Sequence, residues 1–144
     1  MDSILLLVSI PAIGFGIYWY FIHIPNFYGY KSSDGKKLSK YLPAKKLQEL
    51  CNNPNSDIWI IDVREEEYFL LGHIPTAQNF PHHKVEEWYA EIPMDKQLII
   101  YCDLSLKTQN VILFLQQKGY TQMMNWGKYK RWKYDEEVSE TILY

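Results

Sequence analysis

Only two cysteines, Cys51 and Cys102, occur in 144 residues, too few for a disulfide scaffold or a four-thiolate zinc site. Excess positive charge is missing as well: 15 Lys+Arg stand against 17 Asp+Glu, a formal net charge of -2. Clustered Lys and Arg supply affinity for phosphate backbones, so nucleic acid is not an expected partner. No internal repeat or low-complexity stretch is visible, and the length suits one folded domain. Hydrophobic residues make up 47% of the chain and aromatics 16%, enough to fill a core, which excludes a disordered chain.

The first thirty residues are nearly free of ions. Before Lys31 the one acid is Asp2, and there is no Lys or Arg at all. Within that stretch Ile4 to Ile24 is apolar almost throughout. About 21 helical residues at ~1.5 Å each reach about 30 Å, the hydrocarbon thickness of a bilayer. The spacing predicts a transmembrane helix within residues 1–29, with Tyr18, Trp19 and Tyr20 at the headgroup level. A cleaved secretory signal would need a basic start and a small-residue cleavage site, and neither precedes Lys31. A buried soluble helix would need a larger domain around a segment apolar on every side. Lys31, Lys36, Lys37, Lys40, Lys45 and Lys46 follow the span, which puts the N-terminus outside and the remainder in the cytoplasm. Thiols stay reduced there.

Residues 30–41 are polar and contain Gly35, and read as a juxtamembrane linker whose lysines can touch anionic lipid. Pro43 suits a first helical position, and Ala44 to Leu50 forms a short helix. Strand signals over Ile58 to Val63, Ala77 to Phe80, Gln97 to Tyr101 and Thr121 to Met124 then alternate with helical ones over Glu65 to Leu71, Val85 to Ile92 and Lys107 to Lys118. Such alternation predicts an α/β domain with a mainly parallel central sheet covered by helices on both faces.

Ligands bind at the carboxyl ends of strands in such sheets, and Cys102 is the first residue after the most strand-like segment. A cysteine facing the N–H groups that open a helix can have a lowered pKa and act as a nucleophile. It can equally be an ordinary buried strand-end cysteine, and spacing alone leaves both open. The residues between, Asp103, Leu104, Ser105, Leu106, Lys107 and Thr108, can wrap backbone amides into an anion-binding loop, with Lys107 adding charge. Adjacent His82 and His83 lack Cys or further His partners in the sequence, so no metal site is expected, and Cys51 reads as an idle thiol.

The stretch WIIDVREEEYFLLGHIPTAQNFP resembles the rhodanese-domain signature through Asp62, Val63, Arg64, Glu65, Gly72, His73, Ile74, Pro75, Ala77 and Asn79. The strand and cysteine in LIIYC, Lys118 to Tyr120, Asn125-Trp126-Gly127 and Trp132 follow in the family's order. The resemblance covers roughly residues 42–137 and implies a three-layer α/β/α rhodanese-like domain there, preceded by one transmembrane helix and followed by a tail over 138–144. It also implies sulfurtransferase chemistry: Cys102 takes a sulfane sulfur from thiosulfate or a persulfide donor and passes it to a thiol or cyanide-type acceptor, with no cofactor. Asp62 and Arg64 are implied as supporting residues near the loop.

Active single-domain relatives commonly read Cys-Arg-Ser-Gly-x-Arg-Ser, whereas here Asp103 adjoins the cysteine, Ser105 replaces glycine, and Lys107 stands for the loop arginine. Asp103 should disfavour the thiolate. The alternative is therefore a weak or inactive rhodanese module that binds a protein partner or senses thiol oxidation at the membrane. A tyrosine-type phosphatase would need Arg at the position of Thr108, which argues against phosphate-ester hydrolysis.

Overall fold

A computed structural model describes residues 38–139. The transmembrane helix expected within residues 1–29 lies outside them, as do most of the linker and of the tail. Among the described residues no helix is long and apolar enough to cross a membrane.

Four parallel strands form one sheet in the order β2-β1-β3-β4. They are β1 (Ile58–Asp62), β2 (Gln78–Asn79), β3 (Gln97–Cys102) and β4 (Met123–Lys128). The helices are α1 (Ala44–Asn52), α2 (Glu66–Leu71), α3 (Val85–Trp88) and α4 (Ser105–Gln117).

The central strand β3 shows why the domain has three layers. Its residues Leu98 to Cys102 are fully buried, and successive side chains alternate between faces. Ile99 and Tyr101 join Leu47, Leu50 and Cys51 of α1 on one side, where a period of three and four residues aligns the helix's apolar stripe. Leu98, Ile100 and Cys102 join Val111, Ile112 and Leu115 of α4 on the other. Each fully buried aliphatic side chain contributes about 1.5–3 kcal/mol of transfer free energy.

Several expected boundaries move. Pro43 precedes α1 with extended backbone, so its fixed φ caps the helix instead of opening it. The end of the expected linker belongs to the domain: Leu38 is buried in the α1-side core, and the Tyr41 carbonyl accepts the Trp126 indole N–H at 3.1 Å. The last strand runs on to Lys128 rather than stopping at Met124. A bulge makes this possible, since Ile100 pairs with Asn125 but Tyr101 with Gly127, leaving Trp126 as the extra residue. Gly127 adopts φ 99, a conformation that suits glycine, and the Asn125 carboxamide oxygen accepts its N–H at 2.9 Å.

Thr76, at φ 68, is the one non-glycine residue with positive φ among the described residues. Its N–H is held by the Glu137 carboxylate at 3.0 Å, and Glu137 pairs antiparallel with His73 through two backbone bonds of 2.9 Å. A β-branched residue there is strained, while glycine would gain entropy when unfolded, so Thr76→Gly is expected to stabilise by about 1 kcal/mol. Urea unfolding checks this, and a loss of stability would contradict it.

Candidate functional site

The carboxyl ends of β1 and β3 meet at a cleft of about 180 Å³ lined by Arg64, Tyr68, Asp103, Tyr129 and Lys130. Arg64 is a wall held by several bonds. Its Nε donates to both Asp62 carboxylate oxygens at 3.1 and 2.9 Å, and its Nη2 donates to Asp62 Oδ2 at 2.6 Å and to the Gly72 carbonyl at 2.8 Å. Both partners are buried, and the guanidinium lies 3.8 Å from the centre of the Tyr129 ring. The pair therefore ties the end of β1 to the turn at Gly72 and stacks the cleft against Tyr129.

Cys102 ends β3 with its sulfur buried. Only Asp103 and Leu104 separate it from α4, which corrects the expected loop over Asp103–Thr108. Ser105, Leu106, Lys107 and Thr108 form the first turn of the helix, and none of the residues 103–108 takes a left-handed φ. No glycine in this stretch frees the backbone to curl around an anion, so the chain turns helical at once, with the Leu104 carbonyl accepting the Lys107 N–H at 3.1 Å. Leu104 and Leu106 are exposed, while Ser105 and Thr108 are buried. The Thr108 hydroxyl has no hydrogen-bond partner among the described residues.

Asp103 gathers the donors that an incoming anion would use. Its Oδ1 accepts the Cys102 thiol at 2.8 Å and the Leu104 N–H at 3.0 Å, and its Oδ2 accepts Lys107 Nζ at 3.3 Å. Burial opposes this carboxylate, but the bonds from Cys102 and Lys107 and the lysine charge outweigh it and hold Asp103 below the ordinary range. The thiol moves the opposite way. Burial first, and then the hydrogen bond that keeps its proton shared with Asp103, push Cys102 up to about 12. The lowering expected from the helix N-terminus does not prevail over these two effects.

The sequence did not point to Tyr68, Tyr129 or Lys130. Tyr129 and Lys130 reach the cleft because β4 continues through its bulge, and the aromatic that follows Gly127-Lys128 was the available signal. His73 is placed as a structural residue, buried, bonded through Nδ1 to the Phe69 carbonyl at 2.9 Å and stacked on the Phe69 ring.

Comparison with known proteins agrees with this geometry. The rhodanese-like domain family profile matches residues 43–134. A sulfurtransferase of Allochromatium vinosum is 30% identical over 69 residues, which span 48% of this chain and 64% of that protein, less than two thirds of its length. The thiosulfate sulfurtransferase GlpE of Ectopseudomonas mendocina is 23% identical over 95 residues, covering 65% of this chain and 84% of that one. Among solved structures, a rhodanese with anions from E. coli is 25% identical and superposes with a TM-score of 0.52, covering 57% of this chain and 99% of its own. With the profile spanning most of the described domain, and with a parallel sheet that ends its central strand in cysteine, this chain belongs to the rhodanese-like domain family.

Proposed function

We propose that this chain is a membrane-anchored sulfurtransferase that carries a sulfane sulfur on Cys102. With thiosulfate as donor, the Cys102 thiolate attacks the outer sulfur, the S–S bond breaks, and sulfite leaves with the bonding electron pair. A thiol or cyanide acceptor then attacks the outer sulfur of the persulfide and returns Cys102 as thiolate. The observation that carries the reading is the position of Cys102 at the end of β3, hydrogen-bonded to Asp103 on the cleft wall beside Arg64 and Lys130. Lys107, freed from Asp103, supplies the charge that a thiosulfate or a departing sulfite needs. The apolar run Ile4 to Ile24 and the lysines after it support a single-pass anchor in the cell membrane, N-terminus outside, with the domain on the cytoplasmic side.

A second reading, a weak module serving partner binding or thiol sensing, draws on one observation: Asp103 already occupies the donors around a protonated thiol. Turnover separates the two. Carbonate-washed membranes carrying the full chain are expected to form thiocyanate from thiosulfate and cyanide, and Cys102→Ser membranes are expected to form none above background. Equal rates in the two samples would reject sulfur transfer through Cys102, and loss of the chain in the wash would reject the anchor.

A further inference from the structure

The parallel pairing of β1 with β2 sets Asp62 opposite Asn79. Just beyond the end of that pairing, Glu65 at the start of α2 lies beside His82 and His83. We infer that Glu65, His82 and His83 form a binding site for a divalent transition-metal ion of the zinc class.

Geometry carries the case. Glu65 Oε2 lies 2.9 Å from His83 Nδ1, and Oε1 lies 3.5 Å from His82 Nδ1. One donor atom from each of the three residues falls within 4.8 Å of the others. Ligands held about 2.0–2.1 Å from a tetrahedral ion sit about 3.3 Å apart, so an ion could take all three donors with small side-chain adjustments.

The backbone under them is fixed. Phe80 donates to the Asp62 carbonyl at 2.9 Å and His82 to the Val63 carbonyl at 3.0 Å, while the Asn79 carboxamide donates to the carbonyls of Asp62 and Arg64 at 3.1 and 3.0 Å. Glu65 occupies the N-cap of α2 without a side-chain cap bond, and its carboxylate turns to the histidines. His82 Nδ1 also lies 3.3 Å from the Val63 carbonyl, a long contact that a metal bond would replace.

The chemistry of the set selects the ion. Two imidazoles and one carboxylate suit zinc and its neighbours, whereas calcium and magnesium prefer all-oxygen surroundings. Three protein ligands leave a fourth position for water or another ligand, and Glu65 and His83 line a cleft of about 300 Å³ together with Glu66, Glu67, Pro81 and Lys84. Glu66 and Glu67 offset the charge of Lys84 and favour a cation there.

The test uses the full chain in detergent, titrated with Zn2+ against a chromophoric chelator and with Co2+ by visible absorption. The expected result is one ion bound with a nitrogen- and oxygen-type cobalt spectrum, weakened at least about tenfold by His82→Ala or His83→Ala. Lys84→Ala should leave binding intact or tighten it. The histidine variants should keep the metal-free melting temperature, and only the wild type should gain stability on adding Zn2+. Unchanged Zn2+ affinity in the His82→Ala/His83→Ala double variant would overturn the assignment. So would a thiolate-to-cobalt charge-transfer band that disappears in Cys51→Ser or Cys102→Ser.

Discussion

Arg64→Ala is expected to destabilise the domain by about 3–5 kcal/mol, because it leaves the buried Asp62 carboxylate without its partner. Three contacts between the two side chains and one to the Gly72 carbonyl disappear together, and Tyr129 loses the cation stacked on it. Replacing both ions with apolar residues, as in Asp62→Leu/Arg64→Met, should cost less than the single change, since no charge is then stranded. Urea denaturation of the two variants measures the difference. A loss below about 1 kcal/mol for Arg64→Ala would mean that the pair is solvated in solution and does not brace the cleft.

The second large effect is on rate. A thiol pushed up to about 12 is almost wholly protonated at neutral pH, so single-turnover loading from thiosulfate should rise about tenfold per pH unit from pH 7 to about pH 10. The sign follows from the raised pKa: the reactive thiolate appears only as pH climbs toward that value. The fold keeps the thiol protonated more strongly than the unfolded chain does, whose value is near 9.0, so stability falls as pH rises past that point and the profile is read below about pH 10. Asp103→Asn removes the charge that opposes the thiolate while leaving an oxygen for the Leu104 N–H. Its loading rate at pH 7 should rise about threefold to tenfold, the gain in thiolate being partly offset by weaker intrinsic nucleophilicity. A profile flat above about pH 8, or no gain in Asp103→Asn, would show that Asp103 does not hold the thiol in check.

Much of the fold was readable before the structure, for a simple reason. The segments IWII and LIIYC are continuous apolar runs, which is what a strand buried on both faces requires, and helical patterns separate them. The end of β4 was not readable, because Asn125, Gly127 and Lys128 have little intrinsic strand preference and the bulge that accommodates them depends on pairing with β3. The start of α4 was missed because Leu104 caps it without any side-chain hydrogen bond, so no capping residue marked Ser105 as the first turn.

The candidate site divides in the same way. That Cys102 closes β3 follows from the run of apolar residues before it. That Asp103 engages the thiol, the Leu104 amide and Lys107 at once depends on a side-chain direction that residue order does not specify, although the charge of Asp103 gave the correct sign for its effect on the thiol. Glu65 and the two histidines are separated in sequence and meet because β1 and β2 pair side by side just before them.

The central claim is that Cys102 carries sulfur, and intact mass of the full chain after exposure to thiosulfate or a persulfide donor at mildly alkaline pH tests it most directly. The account predicts a sulfur-sized gain that is removed by cyanide or a thiol and is absent in Cys102→Ser. No gain in a demonstrably folded protein, or a gain that survives in Cys102→Ser, would contradict it.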